Sequence, residues 1–268
     1  MLCRGRTVGE PGRHPMGTPS TFEDHFGDMA REYARFRPAY PESLFRWLAS
    51  VAPGRETAWD CGTGTGQAAL GLTPFFDRVF ATDPSPNQVA HAATHPRIRY
   101  SVAPAEDSGL PSASADLVTV AVAMHWFDLD RFYREVRRVG RPGAVLAAWC
   151  YTRALIHPDI DALVEDFYGR VVGPYWPMDP KVVEGGYASL PFPFDEIAPP
   201  AFEMTARWDL AHLLGYLDTW SATRRATLAL GHNPLRDLEP RLRAIWEDPR
   251  EARLVRWPLG LRVGRLPR

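Results

Sequence analysis

Between positions 60 and 66 an acid precedes three regularly spaced glycines: Asp60, then Gly62, Gly64 and Gly66. The apolar approach Ala58-Trp59 and the run Gln67-Ala68-Ala69 frame them as a strand end, a tight loop and a helix start. Glycine reaches positive φ and lets the backbone come close to a ligand. A helix start adds free N–H groups at the positive end of its dipole. A loop of this kind can hold a nucleoside-type cofactor.

The spacing narrows the choice. A dinucleotide fold wants G-x-G-x-x-G, whose third glycine permits close helix–strand packing. Gln67 stands at that third position, and Asp60 would repel a pyrophosphate, so both oppose an NAD oxidoreductase. The loop reads D-x-G-x-G-x-G, and its acid attracts a ligand carrying an ammonium group. S-adenosylmethionine (SAM) has an ammonium, a positive sulfonium and no phosphate. Arg78-Val79-Phe80-Ala81-Thr82-Asp83 then reads as a second strand ending in an acid. In nucleotide-binding α/β folds an acid so placed receives ribose hydroxyls.

With these residues the chain resembles a class I SAM-dependent methyltransferase of the type 11 kind. A finer resemblance runs through most of residues 26–265. Tyr33-Ala34-Arg35-Phe36-Arg37-Pro38-Ala39-Tyr40-Pro41, Met124-His125-Trp126-Phe127-Asp128 and Tyr216-Leu217-Asp218-Thr219-Trp220-Ser221-Ala222 are similar to segments of the trans-aconitate methyltransferase-like group of small-molecule enzymes. That resemblance implies SAM as cofactor, S-adenosylhomocysteine as product and a small-molecule acceptor. It places adenine contacts at Ala105 and Glu106.

His125 and Trp126 fall just past a predicted fourth strand, on the edge where open α/β sheets bind ligands. His125 is the candidate catalytic residue, as a base or as a hydrogen-bond donor; Trp126 is a candidate wall of the cofactor pocket. Tyr33 is a candidate for closing over the cofactor, and Arg37 and Tyr40 for binding an acidic acceptor. Helix-capping or surface roles remain open for these three. Methyl transfer is an in-line displacement that needs alignment above all, and a base only where the nucleophile carries a proton.

The elements that must position these residues follow from the remaining pattern. Strands are expected at 98–103, 116–123 and 144–151, with helices at 86–93 and 129–139 between them. Strands alternating with helices imply a parallel sheet with right-handed crossovers. The expected fold is a three-layer, doubly wound, mostly parallel seven-stranded sheet, Rossmann-like, with a helical cap inserted after strand 5. The last two strands, near 202–208 and 254–263, are expected to complete the sheet. Asp209 is a plausible N-cap for a helix through Trp220. Pro240 should either start or kink a helix within 235–246.

The expected organisation is a disordered tail over 1–20 and one methyltransferase domain over 21–268. Within it, 21–55 would form lid helices, 56–151 the cofactor-binding core, 152–250 cap insertions around a returning strand, and 251–268 the last strand and tail. The 268 residues have a formal charge of -1, so no polyanion-binding surface is indicated and nucleic acid is not an expected partner. No run has transmembrane length, so no membrane partner is expected. Three cysteines without metal-site spacing fit a reducing compartment, and the expected location is cytoplasmic, with no metal site. Rival readings are a catalytically silent SAM-binding module and a methyltransferase acting on protein or RNA.

Overall fold

A computed structural model describes residues 38–151, 153–177 and 180–267. Tyr33, Arg37 and the expected tail lie outside the described residues. Eight strands form the sheet: β1 (Thr57–Cys61), β2 (Arg78–Asp83), β3 (Ile98–Val102), β4 (Ala115–Ala121), β5 (Gly140–Tyr151), β6 (Asp195–Glu196), β7 (Glu203–Trp208) and β8 (Arg253–Arg265). The order is β3-β2-β1-β4-β5-β8-β6, with β7 paired to β8 alone. Strands β1 to β5 pair in parallel, whereas β8 runs antiparallel to β5, β6 and β7. The architecture is the Rossmann-like α/β fold expected, and the strand order reverses between β1 and β4. Ligands of open α/β sheets bind at the carboxyl ends flanking such a reversal.

Burial on both faces explains the apolar runs. In β5, Val145, Ala147 and Trp149 pack on one side with α1 (Glu42–Val51) and α2 (Gln67–Leu72). Leu146, Ala148 and Cys150 alternate to the other side, against Phe132, Tyr133, Val136 and Val139 of α4 (Leu129–Val139). A short helix, α3 (Pro86–Ala90), connects β2 to β3. Asp128 caps α4 by accepting the Arg131 N–H at 3.2 Å.

After β5 the chain builds a helical insertion with its own apolar centre. It comprises α5 (Pro158–Asp166), α6 (Lys181–Glu184), α7 (Leu210–Asp218), α8 (Ser221–Leu230) and α9 (Leu235–Trp246). Ile160, Leu213, Leu217, Leu242, Trp246 and Trp257 are fully buried there. Asp209 caps α7 as expected, accepting the His212 N–H at 2.8 Å. Helix α9 begins five residues before Pro240, which removes the reading that Pro240 starts it. Among the described residues no helix is long and apolar enough to cross a membrane.

The strands at 203–208 and 253–265 complete the sheet as expected, and the two-residue β6 adds an eighth strand beyond the seven expected. The outer position beside β8 is taken by the two-residue β6, not by the 203–208 strand. The reason lies in the length of β8. Its second half, Leu259–Arg265, matches β5 out to Tyr151, and its first half, Arg253–Pro258, projects past that end. Unpaired strand backbone is costly when covered by other elements. Strand β7 satisfies that projecting half, from Glu203↔Pro258 to Trp208↔Arg253.

Candidate active site

The loop after β1 is held by backbone bonds to the end of β2. Gly62 N and Thr63 N both donate to the Thr82 carbonyl, at 2.8 and 3.0 Å. Gly64 N donates to Asp83 Oδ2 at 2.8 Å, and Ser85 N donates to Asp83 Oδ1 at 2.9 Å. Asp83 therefore pins the loop and the β2 turn together.

The three glycines have different surroundings. All take positive φ: +68 at Gly62, +54 at Gly64 and +87 at Gly66. A Cβ on Gly62 would stand 2.7 Å from Ala123 Cβ, and one on Gly66 would stand 2.1 Å from the Tyr100 hydroxyl. Among the described residues, one on Gly64 would approach nothing closer than Gln88 Oε1 at 3.9 Å. Gly62 and Gly66 are crowded by protein atoms; Gly64 faces space that no described residue fills.

Asp60 is fully buried and does not present a free carboxylate to that space. Its Oδ2 accepts the Thr63 hydroxyl at 2.6 Å and its Oδ1 the Thr119 hydroxyl at 2.8 Å. Thr119 is its neighbour across the β1–β4 ladder. Burial outweighs these bonds and pushes its pKa up to about 6. Neither threonine stood out in the sequence analysis. The available signal was Thr119 itself, a hydroxyl in the otherwise apolar stretch 117–121 of β4.

The turn after β4 lies against the glycine loop, since Ala123 is the residue that blocks a Cβ at Gly62. Val122 opens this turn at φ +55, a left-handed conformation that β-branched residues seldom adopt. Such strain marks segments whose surroundings fix them, often at functional sites. His125 follows in the short helical turn Met124–Trp126. Its Nδ1 lies 2.9 Å from the hydroxyl of Tyr187, a residue of the insertion. Burial lowers the His125 pKa to about 4, so the ring is neutral at physiological pH. Trp126 packs beside it with ring centroids 5.1 Å apart and is 44% exposed.

The other candidates occupy less direct positions. Ala105 is buried in the layer beneath the His125 turn. Glu106 Oε1 accepts the Asp128 N–H at 2.9 Å, tying the loop after β3 to the start of α4. The Tyr40 ring meets Trp149 edge-on at 5.5 Å and packs between the sheet and the insertion. The carboxyl ends of β1, β2 and β4 thus gather Asp60, the glycines, Asp83 and His125, while nothing described bears on Tyr33 or Arg37. Tyr187 was missed, and no local pattern announces it.

Comparisons with known proteins agree with this geometry. A family model described as a methyltransferase domain matches residues 59–148, from β1 into β5. A Dictyostelium discoideum protein named as a methyltransferase is 32% identical over 211 residues, covering 77% of this chain and 80% of that protein. A Saccharomyces cerevisiae protein named as an S-adenosylmethionine-dependent methyltransferase is 35% identical over 128 residues, 44% of either chain. A solved structure described as a type II methyltransferase, from Anaeromyxobacter dehalogenans, is 51% identical with a TM-score of 0.82. It covers 87% of this chain and 99% of its own.

Proposed function

We propose that this chain, which belongs to the class I SAM-dependent methyltransferases, methylates a small molecule and that the accepting atom is a carboxylate oxygen. SAM is the cofactor, and it supplies an electrophilic methyl carbon on a positively charged sulfur. The loop fits such a ligand: space is free where Gly64 lacks a Cβ and closed at Gly62 and Gly66. In this reading Gly62, Gly64 and Gly66 shape the cradle. Asp83 receives the ribose hydroxyls, and Ala105, Glu106 and Trp126 line the adenine side. Asp60 acts through its negative field on the ammonium, because both its oxygens are already bonded to threonine hydroxyls. Tyr33 closes over the cofactor, and Arg37 and Tyr40 hold the acceptor.

The observation that supports a small acceptor is the contact between His125 and Tyr187. Through it the insertion after β5 reaches back against the turn beside the glycine loop. A site walled by its own chain suits a small molecule better than a folded protein or RNA. We take residues 152–250 as the cap in this sense. The carboxylate follows from the resemblance in the Tyr33–Pro41 segment and from the weak basicity of His125. A carboxylate, with a pKa of about 4, is ionised at neutral pH and asks for no base. An arginine can grip a neighbouring carboxylate through two parallel bonds.

Purified protein incubated with methyl-labelled SAM and a metabolite extract tests the reading. Label should enter small molecules as alkali-labile methyl esters. Alkali-stable label on a phenol, thiol or amine would overturn the carboxylate, and label confined to protein or RNA would overturn the small acceptor.

A further inference from the structure

The pairing of His125 with Tyr187 bears on which ring nitrogen carries the proton. Tyr187 is fully buried, so its hydroxyl hydrogen must be placed on a protein acceptor. The acceptor within reach of the hydroxyl hydrogen is His125 Nδ1 at 2.9 Å. A neutral imidazole that accepts at Nδ1 donates at Nε2.

The backbone around Tyr187 holds this arrangement. Tyr187 sits at φ +65, left-handed and without the freedom of glycine. Its N–H donates to the Val182 carbonyl at 3.1 Å, and its carbonyl accepts from Arg262 Nη1 at 3.2 Å. The preceding Gly186 packs on Gly260, leaving a Cβ at position 186 only 3.2 Å from Gly260 Cα. Val122, at the other side of the contact, is left-handed too. Two strained residues facing one hydrogen bond point to a bond that the fold is built to keep.

We propose that Tyr187 is a positioning residue that locks His125 as the Nε2–H tautomer, so that His125 meets the acceptor substrate as a hydrogen-bond donor and not as a base. Nε2 has no hydrogen-bond partner among the described residues, which leaves its N–H for a ligand. The chemistry selected is an acceptor with a lone pair beside the nucleophilic atom, such as the second oxygen of a carboxylate. An acceptor that must lose a proton to react finds no base in this ring. The inference rests on the methyltransferase reading of the site, but its test needs neither cofactor nor acceptor.

The test is long-range proton–nitrogen correlation NMR on protein carrying 15N-labelled histidine, with His125→Gln identifying the signal. At pH 7 the wild type should show one tautomer, protonated at Nε2 and bare at Nδ1. A ring protonated at Nδ1 would overturn the proposal. Tyr187→Phe keeps the ring and removes only the hydroxyl, and it should release the lock and populate both tautomers. Retention of the single Nε2–H form in a folded Tyr187→Phe would also overturn it, since the hydroxyl would then not be the cause. Methyl-ester formation, scored separately, decides the carboxylate reading.

Discussion

The glycine loop and the His125 turn stand side by side at the carboxyl ends of β1 and β4, yet different parts of the chain hold them. The loop is fixed mainly by its neighbours in sequence, Thr63 on Asp60 and Thr82 and Asp83 on the loop amides, all within 24 positions, with Thr119 bracing Asp60 from 59 residues away. The His125 turn is fixed from far away, by Tyr187 at a separation of 62 residues. The loop spends its backbone on being open at one point, Gly64. The turn spends side chains on being closed, with Val122 and Tyr187 both held left-handed. Cofactor binding and acceptor handling should therefore fail independently, and substitutions can be chosen to separate them.

The sharpest separation is within the loop. Gly64→Val should abolish SAM binding, because its side chain would fill the free space, while the fold survives with roughly 1–2 kcal/mol of left-handed strain. Gly66→Val should instead unfold or rearrange the loop, since even its Cβ would overlap the Tyr100 hydroxyl. Calorimetry with SAM and thermal denaturation on both variants check this. A Gly64→Val protein that still binds SAM tightly would remove the open point from the loop.

Asp83→Ala comes next. Bonds to a charged group are worth about 1.5–3 kcal/mol each, so SAM should bind roughly 10- to 100-fold more weakly. Part of the loss would come from freeing the Gly64 and Ser85 amides. Asp83→Asn separates the two contributions, because its carbonyl still serves one amide. Unchanged affinity in a folded Asp83→Ala variant would take the ribose role away.

Asp60 gives an effect of similar size but mixed sign. Its folded pKa, about 6, lies above the ordinary carboxylate value of 3.8. A raised carboxyl pKa stabilises the fold fully below pH 3.8, and that contribution is lost as pH rises through 6. At pH 8 the ionised carboxylate therefore costs roughly 2–3 kcal/mol relative to its protonated state. Asp60→Asn should stabilise the ligand-free protein at pH 8 by up to about that amount, with a flatter stability profile between pH 4 and 8. It should also weaken SAM. In the wild type SAM should bind about tenfold more weakly at pH 5 than at pH 7, as a protonated Asp60 no longer attracts the ammonium. Urea denaturation and calorimetry over that range decide both points. Equal SAM affinity at the two pH values would confine Asp60 to bracing Thr63 and Thr119.

The same local–distant contrast explains what could be read from the sequence. Asp60, the glycines and Asp83 were legible because glycine spacing and strand ends are written in consecutive residues. The Asp209 cap was legible for the same reason. Helix α8 was not, because its buried face is Ala222, Thr223 and Ala226, too small and polar to make an apolar stripe. Strand β6 was not, being two exposed acids recruited only by the edge of β8. Strand β7 was legible as a strand, but its partner was not, since that depends on how far β8 overshoots β5. His125 was legible as a residue after a strand; whether it gives or takes a proton depended on Tyr187, and no spacing encodes that pairing.

The smallest expected effect is on rate against pH, and it tests the acceptor side alone. With SAM saturating, Asp60 no longer influences the measured kcat. His125, with a pKa lowered to about 4, is neutral across pH 6–8, and an acceptor carboxylate with a pKa of about 4 is ionised across the same range. Nothing on either partner titrates, so kcat should change less than about twofold between pH 6 and 8. A phenol or thiol acceptor behaves differently. Its ionised fraction grows about tenfold per pH unit below a pKa of about 10 or 8.5, so a reaction limited by that fraction climbs steeply with pH. Below pH 6 the stability of the fold enters as well. The depressed His125 pKa contributes stability that is present above its usual 6.5 and is lost as pH falls towards 4. A decline in kcat at low pH counts against the donor role only if denaturation at the same pH shows the fold intact. A steep rise between pH 6 and 8 with an intact fold would replace the donor by a base and the carboxylate by a protonated nucleophile.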